Sequence, residues 1–162
     1  MLPVGLLCST VSATHLRGAE MGYTTPSQPD LQTLDSLVSR YVDVDSIPWV
    51  DLPFAGVKGK ILLTDGKGVR TALARMEPGS EIPYHEHTGL EQTYMLEGSL
   101  EDDDGVCVAG QYVWRLKGNR HTARSPSGCL MLVSFDSPNI YLSGQMEGMT
   151  MEDFVAKNGT VG

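Results

Sequence analysis

The sequence has few cysteines and no long apolar run. It contains three cysteines among 162 residues, an odd number without any CxxC spacing, which is typical of free thiols in a reducing cytosol. No stretch approaches the ~20 apolar residues of a membrane span, and the first residues lack the basic start of a secretory signal. We therefore expect a cytoplasmic protein without a membrane partner.

Basic residues are also scarce. Lysine and arginine number 12 against 20 aspartate and glutamate residues, so the formal net charge is -8. Binding to a phosphate backbone needs clustered positive charge, and no basic block occurs anywhere in the chain. We therefore expect no nucleic-acid partner.

Turn-forming residues, in contrast, are abundant. The chain has 18 glycines and nine prolines, and from Gly59 onward short apolar runs alternate with turn formers such as Gly118-Asn119. This pattern predicts a single all-β domain built as a sandwich or barrel. An arm at 47–53 is expected as an extended edge because of its prolines. The predicted strands are 61–64, 69–76, 82–87, 92–96, 112–116, 121–124 and 130–135.

Two short helices are predicted outside the strands. Ser27 and Asp30 have the spacing of a capping box, and an apolar stripe at helical spacing follows them at Leu31, Leu34, Leu37, Val38 and Tyr41. Thr150 and Asp153 have the same capping spacing near the other end. The expected division is a flexible tail at 1–29, a helix and arm at 30–55, a barrel at 56–148 and a short helix at 149–162.

Three of the four histidines lie close to one carboxylate in this pattern. Side chains in a strand alternate between faces, so His85 and His87 share a face about 7 Å apart. Glu91 has the same parity, and His121 must come from another strand. Imidazole and carboxylate groups suit iron, manganese, zinc and nickel. A lone His-x-His pair is more often structural, so the joint pattern carries the prediction of one divalent metal held by these four residues.

The joint spacing resembles the two motifs of the cupin family. The first motif, G-x5-H-x-H-x3-E-x6-G, runs from Gly79 to Gly98 without a mismatch. The second, G-x5-P-x-G-x2-H, runs from Gly110 to His121, with Leu116 where the family usually has proline. The resemblance covers roughly residues 56–145. It implies a small jelly-roll β-barrel with the metal inside, bound by His85, His87, Glu91 and His121, and it makes Glu91 the catalytic candidate.

The short connection between the motifs, at 99–109, resembles two cupin groups. One is the ChrR-type cupin domain of zinc-binding anti-sigma factors, and the other comprises small dioxygenases that cleave β-diketones and hydroxyacetophenones. The second group implies Fe²⁺ as the favoured metal, with Zn²⁺, Mn²⁺ or Ni²⁺ as alternatives, and a small ketone and O₂ as substrates. Those dioxygenases use three histidines without a glutamate, so Glu91 departs from their pattern.

Two other functions stay open at this point. One is a zinc-binding sensor or binding module without catalysis, and the other is a metal-dependent isomerase of a small metabolite. Barrels of this kind commonly dimerise, so a homodimer is expected through strand edges or the 47–53 arm. Four arginines are expected mainly on the surface, or else orienting an anionic substrate: Arg75, Arg115, Arg120 and Arg124. Four aromatic residues are expected in the core, at an interface or lining a cavity: Tyr84, Tyr94, Tyr112 and Trp114.

Overall fold

The computed structural model describes residues 22–35 and 37–159, and most of this part is β-structure. Its ten strands are β1 (Val50–Asp51), β2 (Val57–Thr64), β3 (Arg70–Met76), β4 (Ser80–His87), β5 (Glu91–Glu101), β6 (Val106–Val108), β7 (Tyr112–Arg115), β8 (Arg120–Ser125), β9 (Cys129–Phe135) and β10 (Asn139–Tyr141). The helices in this part are α1 (Pro29–Gln32), α2 (Met151–Asn158) and a 3₁₀ turn at Gly144–Met146. The predicted all-β domain with short terminal helices is confirmed.

The strands form one curled antiparallel sheet whose two halves share β5. The order along the sheet is β1-β2-β3-β9-β5-β8-β4-β10, with β6 and β7 pairing to β5 off this path. The 11-residue β5 is long enough to pair with β9 and β7 in its first part and with β6 and β8 near its end. The core therefore lies inside the curl, between the two halves.

Side chains that point into the curl are mostly apolar and flexible in shape. Met76, Met95 and Met131 are all buried, as expected of unbranched residues that fill gaps between strands. Cys107 and Cys129 are free and buried, which confirms that they are small core residues. Cys8 and most of the tail expected at 1–29 lie outside the described residues.

All seven predicted strands overlap strands of the structure. Strands β6 and β10 were not predicted, because they have three residues each and are too short for a recognisable alternation. The 47–53 arm does contain an edge strand, but β1 pairs within its own chain, with Val50 opposite Gly59. The strand in the arm therefore already has β2 of the same chain as its pairing partner.

The predicted N-terminal helix is much shorter than its apolar stripe indicates. Helix α1 has four residues, begins after Gln28 and has no side-chain cap, so the capping box at Ser27 and Asp30 is wrong. Leu37 and Tyr41 are 93% and 87% exposed, so the stripe does not pack on the domain either. A helix this short is marginal without tertiary contacts, and no buried residue belongs to α1.

The predicted C-terminal helix is confirmed together with its cap. The Thr150 side chain accepts a hydrogen bond from the Asp153 backbone N–H, and the Asp153 carboxylate accepts one from the Thr150 backbone N–H. Gly159 follows the last turn. Neither this helix nor any other in the described part of the chain is long and apolar enough to cross a bilayer.

Candidate metal centre

Three buried histidines meet inside the curl. His85 and His87 lie on β4, and His121 lies on the neighbouring β8 directly opposite His85 in register. The turn before β8 contains Gly118 at φ +89°, a conformation that glycine adopts without strain. One ring nitrogen from each histidine lies within 4.8 Å of the others. The structure therefore brings together the three histidines that the spacing singled out.

Hydrogen bonds on the far side of two rings determine which nitrogen is free. His85 Nδ1 is 2.8 Å from the Pro83 carbonyl oxygen, and His121 Nδ1 is 3.1 Å from Asp102 Oδ2. Both partners only accept, so each Nδ1 carries the hydrogen and donates it. The Nε2 atoms of His85 and His121 are then left with lone pairs. Such an arrangement orients imidazoles for binding a metal.

The histidines fit a divalent metal in both spacing and charge. His87 Nε2 and His121 Nε2 lie 3.0 Å apart, and two nitrogens at right angles around one ion, each about 2.1 Å from it, are separated by about 3.0 Å. Burial lowers the pKa of His85 and of His87 to about 4 and that of His121 to about 3. All three imidazoles are therefore neutral at pH 7, as metal ligands must be.

Glu91 lies next to the three histidines without joining their cluster of nitrogens. It is the first residue of β5 and is buried. Its Oε1 accepts hydrogen bonds from Arg115 Nη1 at 3.0 Å and from Thr93 Oγ1 at 3.2 Å. Its Oε2 is 3.5 Å from His87 Nδ1, the ring nitrogen that does not face His121. The carboxylate is thus within the site, and one of its two oxygens, Oε1, is held by two protein donors.

Arg115 and Asp102 form a buried ion pair that the sequence analysis did not foresee. Arg115 is one of four arginines expected mainly on the surface, but it is only 7% exposed, whereas Arg75, Arg120 and Arg124 are exposed as expected. Arg115 Nη2 donates to Asp102 Oδ2 at 2.5 Å. Burial raises the pKa of Asp102, but the hydrogen bond and charge of Arg115 outweigh this and leave it below its ordinary value. Asp102 lies in an Asp-rich turn, so only its neighbours in space mark it as part of the site.

Strand β10 adds two more residues that the sequence analysis missed. Asn139 is opposite His87 in register, and Tyr141 is opposite His85 with its ring centroid 5.6 Å away. Burial raises the pKa of Tyr141, so its phenol stays protonated. Neither His87 Nδ1 nor Asn139 Oδ1 makes a hydrogen bond of ordinary geometry. The Asn139 carboxamide is nevertheless close enough to His87 to raise its pKa slightly against the larger lowering by burial.

A partly open, largely apolar cavity of about 80 Å³ adjoins His85 and His121. One water needs roughly 10–15 Å³ measured in this way, so the cavity has room for a small organic molecule. Met151 of α2 lines it, and Arg70, which also lines it, pairs with Glu152 of α2 at 3.3 Å. Its apolar lining includes Ala72, Ala74, Met131, Val133 and Phe135, and its polar lining includes His85, Glu91 and His121.

The barrel fold agrees with a match to a known protein family. Residues 38–137 match the family model of the ChrR cupin-like domain. The chain belongs to this family. The predicted cupin barrel is thereby confirmed, and the cupin motifs are the residues that bring the histidines together.

One curated relative and two solved structures are similar to this cupin. The anti-sigma-E factor ChrR of Cereibacter sphaeroides is 30% identical over 97 residues, which are 59% of this chain and 45% of the relative. The chain therefore spans less than half the length of that relative.

Both solved structures resemble the cupin in fold. A putative acetylacetone dioxygenase from Methylibium petroleiphilum has a TM-score of 0.66 at 20% identity, with 78% of this chain and 99% of that chain covered. An acetylacetone dioxygenase from Acinetobacter johnsonii has a TM-score of 0.63 at 18% identity, with 76% and 93% covered. At these identities the likeness shows the shared fold.

Proposed function

We propose that this cupin is a non-haem iron dioxygenase that cleaves a carbon–carbon bond in a small ketone of the β-diketone or hydroxyacetophenone type. The observation that carries the proposal is the cluster of three neutral, buried imidazoles, two of which, His85 and His121, line an apolar cavity. The fold likeness to two proteins described as acetylacetone dioxygenases supports this substrate class.

In this proposal, His85, His87 and His121 hold one Fe²⁺. Glu91 is the catalytic carboxylate beside them. The bound ion supplies Lewis acidity toward a ketone oxygen and the redox chemistry with O₂. Pro83 and Asp102 keep two of the imidazoles in the tautomer that leaves Nε2 free.

The chain's own residues have two further tasks in the proposed reaction. Glu91 lines the cavity, so its carboxylate is placed to accept the acidic proton from the carbon next to the carbonyl groups. The apolar walls exclude water and thereby restrain hydrolysis and other side reactions. Met151 of α2 and Arg70 line this space, and Arg70 is tied to α2 by its ion pair with Glu152.

Metal analysis combined with oxygen uptake tests the proposal. Protein purified without added metal is analysed for its elements, loaded anaerobically with Fe²⁺, and given a panel of β-diketones and hydroxyacetophenones followed by O₂. We expect oxygen consumption that His121→Ala abolishes together with metal binding. Glu86→Gln is the matched control because Glu86 lies between the two β4 histidines but pairs with Arg120 on the outer side. Iron-loaded protein that consumes no oxygen with any member of the panel contradicts the dioxygenase.

A zinc-binding module without catalysis is the second candidate. It is favoured by membership of the ChrR cupin-like family and by the 30% identity to an anti-sigma factor, and it would have a protein rather than a ketone as its partner. One equivalent of tightly bound zinc and no oxygen uptake after exchange to iron support this candidate. The same measurements therefore separate the two functions.

We further propose that the cupin is a cytoplasmic homodimer. Tyr94, Tyr112 and Trp114 form an outer aromatic face on β5 and β7, and they are 44%, 53% and 57% exposed. Tyr94 is opposite Tyr112 in register, and Trp114 is opposite Gln92 on the same face. Contiguous exposed apolar side chains of this kind mark interaction surfaces, and a second copy of the chain is the proposed occupant.

A further inference from the structure

Arg115 is built into the sheet at the position where it meets Glu91. The two residues are direct partners in the antiparallel pairing of β7 with β5. Their side chains are both buried, and Arg115 Nη1 donates to Glu91 Oε1 at 3.0 Å. Charge-assisted hydrogen bonds between buried groups are the strong ones. Strand register therefore fixes a cation beside the carboxylate of the site.

The other end of the guanidinium is anchored, so Arg115 cannot move with Glu91. Its Nη2 donates to Asp102 Oδ2, and the same oxygen accepts a hydrogen bond from His121 Nδ1. Asp102 is the first residue after the end of β5, next to Glu101. One carboxylate thus ties Arg115 to a histidine of the cluster.

Glu91 Oε2, the carboxylate oxygen that Arg115 and Thr93 do not bond, lies near Nδ1 of His87 rather than near the ring nitrogen that faces His121. Glu91 Oε2 lies 3.5 Å from His87 Nδ1, whereas His87 Nε2 is the atom that faces His121. Its other oxygen, Oε1, already accepts from Arg115 and Thr93. The position of Glu91 therefore differs from that of a fourth ligand.

We infer that Arg115 is a positioning residue that holds Glu91 out of the metal's coordination shell, leaving three histidine ligands and a carboxylate free for proton transfer. This inference rests on the proposed metal site. Without the guanidinium, Glu91 Oε1 keeps only the weaker hydrogen bond from the neutral Thr93 hydroxyl. The attraction of a neighbouring dication then turns the carboxylate to bind the ion. Arg115 thereby decides whether Glu91 is a ligand or a base.

Cobalt(II) spectroscopy tests this inference independently of catalysis, because the d–d absorption bands report the number and type of ligands. Four proteins are compared after loading with Co²⁺: the wild type, Glu91→Gln, Arg115→Met, and the double variant. We expect the first two to have the same spectrum. In Arg115→Met the bands should shift and weaken as a ligand is added, and the double variant should return to the wild-type spectrum.

Two results overturn the inference. One is a changed spectrum in Glu91→Gln with Arg115 intact, which shows that Glu91 is already a ligand. The other is an Arg115→Met spectrum identical to the wild type. The first comparison leaves Arg115 unaltered, so it decides whether Glu91 is a ligand even if Arg115→Met does not fold. Arg115→Lys, which keeps a positive charge, should keep more of the wild-type spectrum than Arg115→Met.

Failure of the proposed metal site gives a different pattern. If the wild type binds no Co²⁺, or if His121→Ala binds it as well as the wild type does, the metal site itself is wrong and the role of Arg115 falls with it. If histidine-dependent binding is normal and only the Glu91 comparison fails, the metal site stands. Arg120→Met is the matched control because Arg120 is exposed and pairs with Glu86 outside the site.

Discussion

At the scale of single residues, burial controls the chemistry of the site. His85, His87 and His121 are 3% exposed or less, and this burial is the main reason that their pKa values are low. Neutral imidazoles are ready to bind a metal, but below about pH 6.5 the metal-free fold must keep three bases unprotonated that would take up protons if they were exposed to water. The site is therefore a source of pH sensitivity in the folded state.

The stability of the metal-free protein, prepared with a chelator, should fall when the solution is acidified below about pH 6.5. An unfolded histidine takes up a proton near pH 6.5, whereas the folded ones do so only near pH 4 or 3. The unfolded state binds more protons in this window, so the free energy of unfolding decreases as pH falls, by up to about 1.4 kcal/mol per pH unit for each histidine.

Urea unfolding of metal-free protein at several values between pH 7.5 and 4.5 measures this effect. The stability should be constant above the window and lost within it. His121→Asn should reduce the slope by roughly a third, since one titrating group is removed. An equal slope in that variant, or a constant stability down to pH 4.5, contradicts the burial of neutral imidazoles.

Gly98 shows that a motif residue can be essential without touching the site. Its φ is +70°, and an added Cβ would lie 1.9 Å from the Gly128 carbonyl oxygen. The residue is opposite Cys129 in register, where β5 leaves β9 and continues towards β6 and β8. The sequence identified this glycine by its spacing, but the neighbouring backbone that requires it became visible only in the fold.

At the scale of elements, local patterns were reliable where they included a specific start or stop. Helix α2 forms where Thr150 and Asp153 cap it, and its first turn contributes Met151 to the cavity and Glu152 to the pair with Arg70. The apolar stripe after Ser27 had the right period but lacked a surface to cover. Periodicity predicts a helix only when the fold supplies that surface.

Thr150→Ala should destabilise the protein by about 1 kcal/mol, because the backbone N–H of Asp153 loses its acceptor. Hydrogen exchange measured by mass spectrometry should become faster in the peptide that covers 151–158. Thr33→Ala is the matched control, since its hydroxyl bonds only to the nearby Asp30 carbonyl on the surface. Unchanged exchange in α2 would show that packing on the barrel, rather than the cap, holds this helix.

At the scale of the whole molecule, curling of the sheet places one face inside and leaves the other to solvent. The inner face contains the histidines and the cavity, and the outer aromatic face contains Tyr94, Tyr112 and Trp114. These aromatic residues were expected in the core, in a cavity or at an interface. Because they are exposed, an interface is the expectation that they fit best. The 47–53 arm pairs within its own chain, so this face is the better place for a second copy.

Light scattering after gel filtration should therefore give about twice the 17.6 kDa of one chain. Trp114→Asp should shift the mass to that of the monomer, because it puts a charge in the middle of an apolar contact. Tyr41→Asp is the matched control: Tyr41 is 87% exposed and distant in sequence from the outer aromatic face. A monomeric wild type, or a Trp114→Asp variant that remains dimeric, contradicts the proposed interface.

The sequence alone determined the class of fold, the family and the three histidines, because strand alternation, turn residues and motif spacing are local properties of the chain. Only the tertiary structure decided what Glu91 contacts, that Arg115 is buried, and that the stripe after Ser27 stays exposed. Arg115 lies 24 residues from Glu91 and 13 from Asp102 along the chain. Their interaction depends on which strands become neighbours, and that is a property of the folded sheet.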